Sequence, residues 1–376
     1  MRDDKPLLMV TISGPDRPGI TAALTGVLMR HAVQMMDIGQ ASLKGMLGLY
    51  CLLDISNPPE SQDSVIKDLL FEASRFDLHL NFRLLSHGEV QAMQQGHLFV
   101  LTHFGGLKGL AAFSNIISEE TGNIETMTTM THHGAQSMDI VVNVIGVSDF
   151  SRLKQKLMLK SRELHIDLAL QKMDAYRKNK RLIFFDMDST LIDMEIIDEL
   201  ARKAGVYREV SRITRKAMAG DFDFSESLVQ RVALLKGLPM DVLTEIRDGM
   251  RLSEGAEDLA TTLKWLGFKL AIVTGGFDFF SDFLREKLGF DMAYANRLEI
   301  KDGILTGRVL GDIVDPVEKA RIVGRVACDL GIPLSQSVVV GDGANDALML
   351  GQAGLGIAYN AKKGLDRVAN ASLGKA

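Results

Sequence analysis

The sequence predicts an α/β protein: a doubly wound, Rossmann-like parallel sheet preceded by two ferredoxin-like βαββαβ modules. Two observations carry the prediction. In the back half three short apolar runs, RLIFFDMD, FKLAIVTGG and SQSVVVGDG, end in small or acidic residues and alternate with helical stretches. That is the pattern of parallel strands buried on both faces. In the front half, strand-like and helical runs follow the order β-α-β-β-α-β, and the order then repeats.

In the first module LLMVTIS reads as a strand, GPDRPG as a turn and ITAALTGVLMRHAV as a helix. Asp16 and Pro18 are expected to open that helix, the carboxylate as cap and the proline in the first turn. IGQASL and LGLYCLLDI follow as strands, the second ended by Asn57-Pro58-Pro59; SVIKDLLFEASRFD is a helix and LHLNFRLLS a strand. In the second module HLFVLTHF, NIETMTTMT, SMDIVVNVIGV and IDLALQKM read as strands. A turn with Gly105, Gly106 and Gly109 leads into the helical LAAFSNIISEETG, and FSRLKQKLMLKSRELH is the second helix. The expected divisions are 1–90, 91–175 and 181–376, joined before the last by the basic, polar linker AYRKNKR.

A chain of 376 residues is too long for one compact core. A net charge of −5 gives no basic field, so no nucleic-acid partner is expected. No apolar stretch approaches the roughly 20 residues of a membrane span, and the N-terminus lacks the features of a signal peptide. The expected location is cytoplasmic, with no membrane partner. Cys51 and Cys328 lie far apart in apolar runs and are expected as reduced core thiols. His132 and His133 are adjacent on a strand, pointing to opposite faces, so they are not expected to share a metal.

Ligands of parallel sheets sit at the carboxyl ends of the strands, where the polar motifs of this chain cluster. Asp186 and Asp188 end the first run with one residue between them. Two carboxylates so close repel, and a divalent cation would resolve the repulsion, Mg²⁺ favouring carboxylates with phosphate oxygens and water. Thr274 offers a hydroxyl at the second strand end, and Gly275 and Gly276 let backbone amides approach an anion. At the third end Asp342 is a candidate ligand between Gly341 and Gly343, and Asn345 and Asp346 open the next helix. Lys319, near the start of a helix in DPVEKARI, is the fixed cation such a site needs. Singly, a DxD pair, a TGG turn and a helix lysine each read more simply as surface features.

Together, DMDST, Thr274, Lys319 and GDGAND resemble the haloacid dehalogenase superfamily. The resemblance implies that Asp186 is the nucleophile on phosphorus and Asp188 the general acid, then base. It implies a Mg²⁺ site of Asp186, Asp342, Asp346 and the backbone carbonyl of Asp188. Thr274, Gly275 and Lys319 would hold phosphoryl oxygens. Asp188 argues for a phosphatase or phosphotransferase, since dehalogenases lack it and ion-pumping ATPases carry threonine there. The largely helical stretch of about 85 residues between Asp188 and Thr274 resembles that superfamily's helical cap, expected at about 195–266.

DMDSTLIDMEIIDELA and FSESLVQRVALLKGLP resemble the phosphoserine phosphatases, and the likeness extends over about 181–370, including YANRLEIKDGILTG. It implies Glu195 for the substrate ammonium, Arg231 for its carboxylate and Asn345 as a further substrate contact. Thr274 departs from the family's serine but keeps the hydroxyl. The implied reaction is hydrolysis of O-phosphoserine to serine and phosphate, the last step of serine biosynthesis. The front modules resemble ACT domains, which implies a homodimer and an amino-acid effector, with serine the natural candidate and Asp16 and Gly19 the candidate residues. The second copy keeps glycines but loses the Pro-Asp-Arg core of the opening turn. The alternatives are a related small-molecule phosphatase or phosphotransferase and, in another class, an amino-acid-sensing regulatory protein.

Overall fold

The computed structural model describes residues 7–56, 62–86, 88–90, 97–132, 135–218, 223–361 and 364–374. Asn57-Pro58-Pro59 and His133 lie outside them. Two compact units divide the chain, one up to Gly96 and the other from His97.

The first unit runs β1 (Leu7–Pro15), α1 (Ile20–Arg30), β2 (Gln34–Leu43), β3 (Met46–Asp54), α2 (Gln62–Arg75), β4 (His79–Leu85). Its antiparallel sheet has the order β2-β3-β1-β4. Leu8, Val10 and Ile12 alternate along β1 and meet Ile20, Leu24 and Val27 of α1 in one core, the two periods facing each other. The expected Asp16 cap is corrected. Helix α1 starts only at Ile20, after Gly19 in the left-handed region at φ 94°, with no side-chain cap. Pro18 keeps Arg17 out of helical geometry, so the helix begins beyond the reach of Asp16. The Asp16 carboxylate instead accepts from Ser42 Oγ at 2.6 Å.

The second unit opens with β5 (Leu98–His103), α3 (Gly106–Glu119), β6 (Asn123–His132), β7 (Ala135–Asn143), α4 (Phe150–Leu164) and β8 (Leu168–Lys172). Asp149 caps α4 by accepting from the Arg152 amide at 3.0 Å. The parallel sheet then begins with β9 (Leu182–Phe185), every residue of which is buried. Leu182 and Phe184 face one core while Ile183 and Phe185 face the other.

Between β9 and β10 (Lys269–Phe277) come α5 (Ile196–Lys203), α6 (Tyr207–Met218), α7 (Phe224–Ala233), α8 (Met240–Gly249) and α9 (Ala256–Trp265). Helix α9 packs on β10, while α7 rests on the β11–β12 hairpin. Backbone bonds from Gly237 to Leu305 and from Met240 to Gly303 anchor the helical insertion there. The rest is α10 (Asp278–Leu288), β11 (Met292–Lys301), β12 (Ile304–Leu310), α11 (Pro316–Asp329), β13 (Ser337–Gly341), α12 (Ala347–Gln352), β14 (Leu355–Tyr359) and β15 (Ala371–Leu373).

The βαββαβ sheet and the parallel sheet are one. The order is β12-β11-β10-β9-β13-β14-β15-β8-β5-β7-β6, closed by the antiparallel pairing of β15 with β8. The basic linker is a strap and not a free tether. Arg177 pairs with Asp139 of β7 at 2.7 Å, both nearly buried, and Lys180 donates to the Ser335 carbonyl at 2.7 Å. Cys51 is buried as expected, but Cys328 is exposed. Val326 and Ala327 take the buried face of α11, and the next residue turns about 100° away from it. Among the described residues, no helix is long and apolar enough to cross a membrane.

Candidate active site

The carboxyl ends of β9, β10 and β13 converge on one crevice. The Asp186 amide donates to the Val340 carbonyl at 2.9 Å, extending β9 along β13 by one residue and fixing the first carboxylate. Met187 is fully buried, and Asp188 follows, its Oδ1 accepting from the Ile196 amide at the start of α5 at 3.0 Å. Ser189 turns the chain through the left-handed region at φ 56° and donates its hydroxyl to Glu195 Oε1 at 2.9 Å. A non-glycine residue in that region marks local strain of the kind that gathers at working sites.

Strand β10 leaves its ladder with β11 after Val273 and rejoins at Phe277. The residues between, Thr274-Gly275-Gly276, bulge toward the crevice, and the Gly276 amide donates to Thr274 Oγ1 at 2.9 Å. The glycines are steric necessities. A Cβ on Gly276 would lie 2.7 Å from Asp188 Oδ2, and one on Gly275 would lie 2.8 Å from Phe224 Cζ of the helical insertion.

Asp315 caps α11 and Pro316 occupies its first turn, which sets Lys319 one turn inside. The ammonium is fully buried and donates to Asp186 Oδ1 at 2.8 Å and Asp346 Oδ1 at 2.7 Å. Asp346 sits in a short 3₁₀ turn after β13, where its other oxygen accepts from the amides of Asp342 and Gly343 at 3.1 Å each. Asn345 Nδ2 approaches Asp346 Oδ1 at 3.3 Å.

Charge is concentrated here. Burial opposes the Lys319 ammonium, but Asp186 and Asp346 more than offset it and hold the amine above its ordinary value. Burial and then Asp186 push Asp346 up to about 7, against the pull of Lys319. Burial, then Glu195 and Asp186, hold the Asp188 carboxyl well above the usual range. Asp186, Asp342 and Asp346 are all buried, with oxygens within 4.8 Å of one another. Two of these three carboxylates bind the one ammonium, which leaves an excess of negative charge, and an oxygen-only donor set of this kind fits Mg²⁺.

The crevice is about 100 Å³. Asp186, Asp188, Thr274, Gly275 and Asp342 reach its wall from the strand ends, and Glu195, Arg231 and Phe224 from the insertion, with Asn345 also on the wall. Burial lowers the Arg231 pKa, while Asp198, Glu195 and Asp188 favour its charge. Lys319 and Asp346 are not on the wall but stand behind Asp186, fully buried. Asp16 and Gly19 belong to the first unit, where they line a shallow pocket with Arg17, Thr21 and Gln40. Sequence reasoning passed over Ser189, Phe224, Gly276 as a contact of Asp188, and Asn296. The signal for Asn296 was a lone amide two residues before Leu298, on the strand face that the buried Leu298 shares.

This fold and constellation define a class, the haloacid dehalogenase-like hydrolases, whose family model matches residues 183–351; that of the ACT domain matches residues 6–83. The chain is 38% identical over 362 residues to a phosphoserine phosphatase of Streptomyces coelicolor, covering 96% of this chain and 87% of that one. It is 36% identical to phosphoserine phosphatase SerB2 of Mycobacterium tuberculosis, covering 97% and 90%. Among solved structures, a HAD family hydrolase from Salmonella enterica serovar Typhi superposes with a TM-score of 0.64 at 27% identity, over 73% of this chain and 94% of that one. The chain belongs to the phosphoserine phosphatase family.

Proposed function

We propose that the protein hydrolyses O-phosphoserine through a phosphoaspartyl intermediate on Asp186. The observation that carries this reading is the pairing, in one crevice of about 100 Å³, of an acidic strand-end cluster with one carboxylate and one guanidinium from the insertion. A zwitterion is recognised by one anion and one guanidinium fork, which suits Glu195 to the ammonium and Arg231 to the carboxylate. Phe224 and Leu228 supply the apolar wall between them.

In this reading an Asp186 oxygen attacks phosphorus as the bond to the serine oxygen breaks. Asp188 gives its proton to that leaving oxygen, then takes one from the water that cleaves the aspartyl phosphate. Thr274 and the Gly275 amide hold the phosphoryl oxygens. Lys319 fixes Asp186 and offsets its charge from behind. Mg²⁺ held by Asp186, Asp342, Asp346 and the Asp188 backbone carbonyl would neutralise charge on the transferring group. Asn345, on the crevice wall, is assigned to the substrate.

We place the enzyme in the cytoplasm at the last step of serine biosynthesis, as a homodimer with serine as effector at Asp16 and Gly19. Two free thiols accord with a reducing compartment. The test is phosphate release from a panel of phosphomonoesters, with Mg²⁺ and with chelator, repeated with added serine. Preferential release from phosphoserine that chelator abolishes is the expected result. Broad release would favour a related small-molecule phosphatase, and transfer to an added alcohol in place of water a phosphotransferase.

A further inference from the structure

The bulge that carries Thr274 and Gly275 is held in place by a side chain that does not line the crevice. Asn296, on β11, is 1% exposed. Its Oδ1 accepts from the Val314 amide at 2.8 Å, and its Nδ2 donates to the Gly275 carbonyl at 2.9 Å. A backbone N–H can only donate and a carbonyl can only accept, so the side-chain amide fits only one way round.

The consequence runs through one peptide plane. The peptide joining Gly275 to Gly276 is pinned at its carbonyl by Asn296 and at its N–H by Thr274 Oγ1, the latter at 2.9 Å. The Thr274 hydroxyl therefore already accepts a hydrogen bond, and its own proton is left to donate elsewhere. Val314, at the other end of the relay, stands two residues ahead of Pro316, which begins the helix carrying Lys319. Gly275 falls in the register shift between Val273 and Phe277, where it has no ladder partner among the described residues, and there the Asn296 amide takes its carbonyl.

We propose that Asn296 is the positioning residue of the phosphoryl end. It locks the Gly275–Gly276 peptide, aims the Thr274 hydroxyl at the phosphoryl oxygens, and ties that loop to the start of the Lys319 helix. The proposal rests on the reading of the crevice as a phosphoserine site. Donors fixed before the charge develops stabilise it more than donors that must reorganise, so Asn296 acts on the phosphoryl group without touching it.

The test uses Asn296→Ala and Asn296→Asp in the full chain with Mg²⁺, reading competitive inhibition by inorganic phosphate and by L-serine separately. Asn296→Asp keeps the shape and the Val314 bond but sets an acceptor against the Gly275 carbonyl. In both variants the Ki for phosphate should rise about ten-fold or more, and the Ki for serine should stay within about two-fold. The hydrogen bonds of the Asn296 side chain go to Val314 and Gly275, not to Glu195 or Arg231, nor to the proposed effector residues Asp16 and Gly19. A parallel rise in both constants, an unchanged phosphate constant, or loss of the fold in both variants overturns the proposal. Failure of the unsubstituted enzyme to release phosphate from phosphoserine would instead overturn the functional reading beneath it.

Discussion

Replacing Arg231 by alanine takes the guanidinium from the crevice wall and leaves the strand-end residues intact. Arg231 Nε donates to the Ser227 carbonyl at 3.2 Å, so its terminal nitrogens remain for the crevice. Burial lowers its pKa, and Asp198, Glu195 and Asp188 offset that only in part. A substrate carboxylate would thus meet a guanidinium already stripped of much of its water. Truncating one partner of a buried, hydrogen-bonded charge pair costs about 2–5 kcal/mol. Arg231 is only partly buried, so the low end, about 2–3 kcal/mol, applies; at 1.36 kcal/mol per decade that is about 30- to 150-fold in kcat/KM.

The assay compares O-phosphoserine with O-phosphoethanolamine, which keeps the ammonium and lacks the carboxylate. Arg231→Ala should lose about 30- to 150-fold on the first and less than about three-fold on the second. Glu195→Gln should show the mirror pattern, losing more on phosphoethanolamine than on phosphoglycolate, which has only the carboxylate. Equal losses on both substrates in the arginine variant would refute the assignment, because the guanidinium would then be serving the fold or the phosphoryl group.

Two further predictions follow from close contacts and burial. Gly276→Ala should keep the fold but lower kcat by about a hundred-fold, since its Cβ would sit 2.7 Å from Asp188 Oδ2 and displace the carboxyl from line; a variant with normal turnover would mean that Asp188 is not held where it acts. Burial pushes the Lys154 amine down to about 8, so between about 8 and 10.5 the unfolded chain binds more protons than the folded one. Stability on this account should rise with pH through that window, by about 1–2 kcal/mol after discounting for partial exposure. Comparing denaturant midpoints of the parent and Lys154→Met at pH 7.5 and 9.5 checks it, the parent alone being expected to gain the increment.

The division between what was legible in the sequence and what was not has a physical basis. The side chains proposed to meet the phosphoryl group lie at strand ends, where buried apolar runs such as Leu182–Phe185 stop abruptly at a carboxylate, and that break is visible in one dimension. Glu195 at the start of α5 and Arg231 in α7 were marked only by the family resemblance. The βαββαβ order was legible because strand and helix periods differ. The start of α1 was misplaced because Asp16 and Pro18 fit a cap motif locally, while Ser42, 26 residues on, takes the carboxylate. The fusion of the two sheets rests on β15, three residues long, too short for any periodicity to register.

Arg177 and Asn296 make the same point from opposite directions. Arg177 lies in a run of basic residues that reads as solvated, yet Asp139, 38 positions earlier, draws it into a nearly dry ion pair. Breaking such a pair leaves a charge stranded, so the strap between the module and the catalytic sheet is set by an electrostatic constraint that composition conceals. Asn296 stands between Ala295 and Arg297 with little in the sequence to mark it, yet both of its polar atoms are taken by backbone groups 18 and 21 residues away. Neither partner carries a side-chain signature, since any residue offers an amide and a carbonyl. Residues that act on a ligand are therefore recognisable by type and spacing, whereas residues that act on the backbone holding those ligand groups become recognisable only once the chain has folded around them.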